Sequence, residues 1–379
     1  MTSRKSARPS VAIIGTRGYP SYYGGFETAV RKLAPYLVEE GWDVTVYGRP
    51  GSTREDDPDI DARVTTRVTR GLETKSLSTL TYGLSSILDA ARRKPDVALI
   101  MNVANGFWLP LLRLRGIPTL VNVDGIEWER AKWGRLAKAV FKGGAKTTAW
   151  WATRLVFDAH EIGRRWKKDF GRDGVFIPYG GDELADLPVE PGLTHRGYAL
   201  VVARFVPENT INEFVEAAAR ISERYDVVIV GSSGYGGEID ERVERLAASN
   251  DRVRWLGHVS DDNRLFSLWQ HAGAYFHGHS VGGTNPALVQ AMMLGAPLVA
   301  RDTVYNREVV GEDARLVAPD ADAIAESVTQ LLSSPREQDD RSAAASARAR
   351  ADYSWAGVLR NYASALRDLA RLPSGPSQD

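Results

Sequence analysis

The sequence predicts an α/β chain of two Rossmann-like domains, each a parallel sheet covered by helices. Three observations carry that expectation. VAIIG, Val11 to Gly15, is an unbroken apolar run ending in glycine, and a helical pattern and a second apolar run, DVTVYG, follow it. The order strand, glycine loop, helix, strand returns at Ala274 to Arg301, AYFHGHSVGGTNPALVQAMMLGAPLVAR. The 379 residues suffice for two domains at about 150 residues each. Strand, helix and strand in succession point to parallel pairing.

Composition narrows the function classes. Hydrophobic content of 43% and charged content of 25% are ordinary for a globular protein, and a formal net charge of zero gives no global field for nucleic acid. Cysteine is absent, which removes disulfides, thiolate metal sites and cysteine nucleophiles and fits a reducing compartment. No apolar stretch reaches the roughly 18 residues a spanning helix needs. MTSRKSARPS is basic and polar with no apolar h-region, so no signal peptide is expected.

In the first half, Phe26, Val30, Leu33 and Leu37 recur at helical spacing after the first strand, and Gly15, Gly18, Gly24 and Gly25 crowd its C-terminal end. Ligands of open α/β sheets sit at that edge. A nicotinamide dinucleotide would need GxGxxG and an acid after the second strand; GTRGYP lacks the spacing, and Gly48 and Arg49 follow Tyr47. Asp56, Asp57, Asp59 and Asp61 lie in a loop with no apolar strand before them, and read as solvated charge rather than a metal site. Two further strands, DVALIMNVANG and TLVNVDGIEW, end in polar residues. Asp124 stands at the second of these ends, either as a cleft-facing contact or as an N-cap. Arg130 to Arg154 holds Arg130, Lys132, Arg135, Lys138, Lys142, Lys146 and Arg154, no acid, and Trp133, Phe141, Trp150 and Trp151. That pattern reads as attachment to an anionic membrane surface, or as a solvated helix packed on the sheet. RLVFDAH and VFIPYGGD complete the first domain.

Leu184 to Gly197 is rich in Pro, Gly and charge and reads as a linker. YALVVARF restarts the pattern, followed by VVIVGSSGYGG and VRWLGHVS. In the Ala274 to Arg301 segment, Asn285 is a favoured N-cap, Pro286 suits the first helical position and Gly295 ends the helix. No acid lies anywhere in it, so the helix start suits a phosphate or diphosphate; a plain βα turn is the other reading. Helices are expected over 320–332, 335–351 and 352–372, then a disordered tail, PSGPSQD.

Four segments carry a resemblance: HGHSVGGTNPALVQAM with Tyr305-Asn306-Arg307-Glu308, IIGTRGYPSYYGGFE, NVDGIEW with RAKWGRLAK, and VARFVPEN. Together they resemble the bacterial rhamnosyltransferase-like members of the family 4 retaining glycosyltransferases, over nearly the whole chain. The resemblance implies a GT-B fold, two Rossmann-like domains facing each other across a cleft. Residues 1–183 would bind acceptor, 184–197 would link, 198–351 would bind donor, and helix 352–372 would pack back on the first domain.

The resemblance also implies roles. Gly24 and Gly25 would approach the donor diphosphate, and Arg17, Tyr23, Glu27 and Trp128 would contact acceptor. Asp124 takes the place of the family's histidine as a sugar or acceptor contact. Arg204 matches the family's arginine on the diphosphate, while Asn209 replaces its lysine, so amides at Gly282, Gly283, Thr284 and Asn285 would carry more of the charge. Gly257, His258 and Val259 would border the base. The family's two loop glutamates are Gly282 and Gln290 here; Gln290 would reach a ribose hydroxyl, and His279 the sugar. Asp124, His279 and Arg204 are thus the implied catalytic set. The implied reaction is metal-independent, retaining transfer from a nucleotide-diphospho-sugar, with no other cofactor. dTDP-L-rhamnose is the expected donor, and a lipid-linked saccharide of a surface polysaccharide the expected acceptor, in the cytoplasm at the inner membrane face. Glycosylation in specialised metabolism and a catalytically silent nucleotide-sugar-binding protein are the alternatives.

Overall fold

The computed structural model describes residues 8–371 apart from residues 23, 54–55, 74–77, 131–132, 235 and 313. The chain forms two compact units, Met1–Pro178 with Ala356–Asp379, and Tyr179–Trp355. Tyr23, Lys132 and the PSGPSQD tail lie outside the described residues.

In the first unit the elements are β1 (Ser10–Ile14), α1 (Gly25–Glu39), β2 (Asp43–Gly48), β3 (Thr65–Val68), α2 (Ser78–Arg93), β4 (Val97–Met101), α3 (Leu109–Leu114), β5 (Thr119–Asn122), α4 (Arg135–Trp151), β6 (Arg154–Phe157), α5 (His160–Phe170) and β7 (Val175–Phe176). The sheet order is β3-β2-β1-β4-β5-β6-β7, with every pairing parallel. β1 and β4 bury both faces, as their continuous apolar sequences require. α1 buries Ala29, Val30, Leu33 and Leu37 along one stripe. Gly15 closes β1 at φ +105°, where an added Cβ would stand 2.2 Å from the Met101 carbonyl, so only glycine lets β1 end against β4.

A 3-10 turn, Val103–Trp108, follows β4 and supports α4. The small face of α4, Gly144, Ala145, Thr148 and Ala149, is buried. A Cβ on Gly106 would lie 2.2 Å from the Gly144 carbonyl, and one on Gly144 2.5 Å from the Val103 carbonyl, so turn and helix meet backbone to backbone.

The second unit contains β8 (Tyr198–Val202), α6 (Ile211–Ile221), β9 (Asp226–Val230), α7 (Glu238–Ser249), β10 (Val253–Gly257), α8 (Asp262–His271), β11 (Ala274–His277), α9 (Pro286–Met293), β12 (Leu298–Arg301), α10 (Val304–Val310), β13 (Arg315–Val317), α11 (Ala321–Leu332) and α12 (Pro335–Asp352). Its sheet is parallel throughout, in the order β10-β9-β8-β11-β12-β13. Phe214 of α6 stacks on Phe276 of β11 at 5.2 Å within the core. The last helix, α13 (Trp355–Ala370), belongs with the first unit from Ala356 onward; there Arg367 Nη2 meets Glu40 Oε2 at 2.6 Å and Arg154 meets Asp368 at 3.0 Å.

Residues 184–197, where composition predicts a linker, lie inside the second unit and run along α8. Leu187 N donates to Gln270 Oε1 at 2.9 Å, Ser267 Oγ donates to the Pro188 carbonyl at 2.5 Å, and Glu190 receives a fork from Arg264. Proline and charge here mark an extended segment whose polar backbone is satisfied by a helix face.

In both sheets the strand order reverses direction once, between β1 and β4 and between β8 and β11. Loops leaving the two strands diverge at such a point and open a crevice outside their carboxyl ends.

Candidate functional site

At the β8/β11 reversal, β8 delivers Arg204 with an exposed side chain, and β11 delivers the loop 278–284. Asn285 caps α9, its side chain accepting from Ala287 N at 2.9 Å, and Pro286 takes the first helical position. With no acid in its first turn, α9 keeps an uncompensated positive end. Gly282 has φ +95°.

The loop is held from beneath. Ser280 N and Oγ donate to the Glu208 carbonyl at 3.0 and 2.8 Å. Thr210 Oγ1 donates to the Gly278 carbonyl at 2.6 Å and accepts from Arg301 at 2.9 Å. Asn306, of the Tyr305 to Glu308 segment, donates to the carbonyls of His279 and Arg301, both at 2.9 Å. Asn209 fixes His279. Its Nδ2 donates to the Arg204 carbonyl at 2.8 Å, so its Oδ1 faces His279 Nδ1 at 2.5 Å. That contact requires the proton on Nδ1, and the Nε2 edge lies toward Gly282, 3.8 Å from where a Cβ would stand. Asn209, which replaces a cation, is therefore an orienting residue; a lone Asn after Pro-Glu gave no signal of it. Beneath the loop, His277 is 4% exposed, and its Nδ1 lies 3.2 Å from the Tyr275 hydroxyl. Burial first, and then the neighbouring His279, push its imidazole down to about 3. It is a neutral core histidine.

His258 is exposed after β10, and Val259 is half-buried beside it; Gly257 has φ +61° and gives its carbonyl to Gly231 N at 2.7 Å. Gln290, expected on a ribose, has its amide engaged within its own unit. It is 7% exposed, and its amide is paired at both ends with the main chain of Asp182, Oε1 accepting from N at 2.8 Å and Nε2 donating to O at 2.9 Å. Thr284 is likewise buried, leaving Gly283 and Asn285 as the more open positions of the loop end.

In the first unit the β1/β4 reversal carries Gly15 to Arg17 and, opposite, Asn102 and Asp124 at the ends of β4 and β5. Gly24 precedes α1 as its N-cap and Gly25 opens it. Glu27, expected on acceptor, is 7% exposed, and its Oε1 accepts from Arg17 N at 3.1 Å, holding the 15–18 loop. Trp128 is the other residue expected on acceptor. It is 9% exposed and packs edge-on against Trp166 at 6.3 Å and Phe170 at 5.9 Å, as core.

Asp124 is half-buried at φ +62° and caps no helix; the next turn, Glu127–Glu129, is capped at Ile126. Asn102 adopts φ +74°, ψ +134°, a conformation that costs a non-glycine residue about 1–3 kcal/mol. Its Nδ2 donates to Asp124 Oδ2 at 3.3 Å. Two non-glycine residues at positive φ on neighbouring strand ends, hydrogen-bonded to each other, mark a strained point where ligands of this sheet class bind.

Elsewhere Tyr22 donates to Asp57 and Asp59, each at 2.9 Å, and Asp61 is bound by Arg63. Among the described residues, no group of three His, Cys, Asp or Glu is placed to hold a metal ion. In the basic segment, Arg130 and Trp133 both turn inward to Glu127, at 2.7 and 2.8 Å. Arg135, Lys142, Lys146 and Trp150 lie along the exposed stripe of α4, with Leu136 at 81%, Trp150 at 73% and Trp151 at 41% exposure. No helix among the described residues is long and apolar enough to cross a membrane.

Comparisons with known proteins agree with this architecture. Residues 24–180 match the model of the glycosyl transferase 4-like domain, and residues 196–334 that of glycosyl transferases group 1. No curated protein is significantly similar in sequence. Among solved structures, a sucrose-phosphate synthase from Thermosynechococcus elongatus is similar with TM-score 0.79 and 19% identity, covering 96% of this chain and 99% of that one. HepE of Anabaena, in complex with UDP, gives TM-score 0.74 and 15% identity over 95% of this chain and 100% of its own. HepE in complex with UDP-glucose gives TM-score 0.72 and 13% identity over 96% and 100%. The two parallel-sheet domains have the GT-B fold. The chain belongs to the GT-B glycosyltransferases, with a glycosyl transferase 4-like domain followed by a group 1 domain.

Proposed function

We propose that this enzyme is a retaining, metal-independent hexosyltransferase that moves L-rhamnose from dTDP-L-rhamnose to a hydroxyl of a lipid-linked saccharide. The observation that carries the nucleotide-sugar half is the β8/β11 reversal, which brings Arg204 and the acid-free start of α9 to one sheet edge. A diphosphate leaving group gathers negative charge as the glycosidic bond breaks. Arg204 and the amides of 283–285 stabilise that charge, and they need no reorganisation to do so. His279, turned by Asn209, meets the sugar. With retention at a single face, the departing diphosphate takes the acceptor proton, and Asp124 holds the acceptor hydroxyl. The rhamnose assignment rests on the HGHSVGGTNPALVQAM resemblance. A UDP-sugar donor is the second reading, favoured by the likeness to HepE, which holds UDP and UDP-glucose.

The outer stripe of α4 supports the acceptor half. Leu136 and Trp150 among Arg135, Lys142 and Lys146 suit an anionic lipid surface, which supports a peripheral seat on the inner face of the membrane.

The test is thermal stabilisation by dTDP, dTDP-L-rhamnose, UDP, UDP-glucose and GDP. A ligand of the native state raises stability by about 2.7 kcal/mol at a hundred times its Kd. A larger shift with the dTDP pair supports rhamnosyl transfer, and one with the UDP pair moves the assignment to the second reading. A shift with none of them, but with NADPH, overturns both.

A further inference from the structure

We propose that Tyr362, on the last helix of the chain, is a positioning residue for Asp124 and acts through the locked side chain of Asn122. The proposal rests on the assignment of Asp124 to the acceptor side of the reaction.

Asn122 ends β5 and is 3% exposed. Its Oδ1 accepts from Asp124 N at 2.9 Å. A main-chain N–H can only donate, so this contact fixes which way the amide faces, and Nδ2 must point the other way. There it donates to Tyr362 Oη at 2.7 Å. Tyr362 is 3% exposed, and burial pushes its phenol up, so it meets Asn122 as a neutral hydroxyl. The far side of Asp124 is built in the same way. Ala104 N donates to Asn102 Oδ1 at 2.9 Å, which turns Asn102 Nδ2 onto the Asp124 carboxylate. Asp124 therefore has its main chain set by one locked amide and its carboxylate by another.

The two amides differ in what holds them. Asn102 is held by the turn it caps, three residues of local sequence. Asn122 is held by a residue 240 positions later. Without the Tyr362 hydroxyl, Nδ2 of Asn122 is buried with no acceptor there, and turning it to another partner takes Oδ1 away from Asp124 N. The φ of +62° at Asp124 then loses the hydrogen bond that keeps it. The last helix thus contributes a hydrogen bond that orients the acceptor-side carboxylate, in addition to the apolar face it packs.

The experiment compares the full-length wild type with Tyr362→Phe, Asp124→Asn and the double variant. Native-state hydrogen exchange reads the relay without any substrate. Tyr362→Phe should raise exchange at the Asp124 amide at least tenfold while β4 and the rest of α13 keep their protection. Unchanged exchange at Asp124, or a rise spread over α13 and β5, overturns the relay. Nucleoside diphosphate release from dTDP-L-rhamnose and from UDP-glucose reads the consequence. Tyr362→Phe should lower kcat on the order of tenfold with donor KM unchanged, and should have no further effect in the Asp124→Asn background. Equal losses in both backgrounds make Tyr362 purely structural and overturn the proposal. If Asp124→Asn alone keeps full turnover, the assignment of Asp124 falls, and the relay's catalytic purpose falls with it.

Discussion

Gln290 and Asp182, 108 residues apart, form a closed pair in which the side-chain amide of Gln290 accepts from Asp182 N at 2.8 Å and donates to the Asp182 carbonyl at 2.9 Å. The pair needs a side chain that both donates and accepts, which a carboxylate cannot do. Gln290→Glu keeps the contact to Asp182 N and sets a charge against the Asp182 carbonyl. The expected result is a loss of about 1–3 kcal/mol, the cost of leaving a buried polar group without its partner. Thermal unfolding should show a Tm several degrees lower at pH 7, and Gln290→Met should fall similarly. An unchanged Tm in both would refute the clamp.

Arg204 is predicted to act on the leaving group more than on the fold, because its side chain is exposed. Arg204→Ala should cost about 10²–10³ in kcat, the range for one lost donor to a developing charge. Tm should stay within a degree, and Arg204→Lys should recover part of the rate. Steady-state kinetics with the donor found by the nucleotide panel gives the comparison.

His279 should depend on Asn209. Asn209→Ala leaves the imidazole tautomer unspecified, and kcat should drop about tenfold, approaching the His279→Ala value. The double variant should be no worse than His279→Ala. Additive losses would separate the two residues.

The pH dependence of stability follows from His277. Its imidazole is held at about 3 in the fold, against an ordinary value of 6.5, because burial disfavours the cation. The unfolded chain then binds a proton that the folded one refuses, so stability falls as pH drops from about 6.5 toward 3 and is fully present above that window. His277→Phe should flatten the acid side of the Tm profile between pH 6.5 and 4. A profile parallel to wild type would show that other groups carry the acid sensitivity.

For the α4 stripe, co-sedimentation with vesicles containing phosphatidylglycerol is the measurement. Each cation near an anionic surface contributes about 1 kcal/mol, so Lys142→Gln with Lys146→Gln should weaken binding at least tenfold. Trp150→Ser should weaken it further, and added salt should mask the lysine effect. Equal binding to neutral and anionic vesicles would discard the electrostatic part.

The domain pattern was legible because it is written locally. Apolar runs such as Val11 to Ile14, followed by Gly15 and a helical stripe, state strand, turn and helix within thirty residues. The cap at Asn285 and the acid-free loop before it were legible for the same reason. What the sequence did not reveal are pairings across long separations. Nothing near Gln290 indicates Asp182, nothing near Asn209 indicates His279, and nothing near Asn122 indicates Tyr362. Glu27 and Trp128 enter the expected pocket through the family resemblance alone. Only their burial, by a main-chain donor in one case and an aromatic cluster in the other, makes them supports. Residues 184–197 read as a linker because proline and charge suggest a free tether whether or not a helix stands beside them.

The contact between Gly106 and Gly144 brings the main chains of α4 and the turn after β4 together with no Cβ between those two residues, Thr147 and Thr148 standing beside them. A shift of α4 at this point moves the turn it touches. The turn that receives it begins at Asn102, the residue that grips the Asp124 carboxylate. If α4 seats on a lipid surface as proposed, any shift of the helix reaches that strained residue through two glycines. Alanine at either glycine would set a Cβ within 2.5 Å of a main-chain carbonyl, so helix and turn would have to part and Asn102 would move with them.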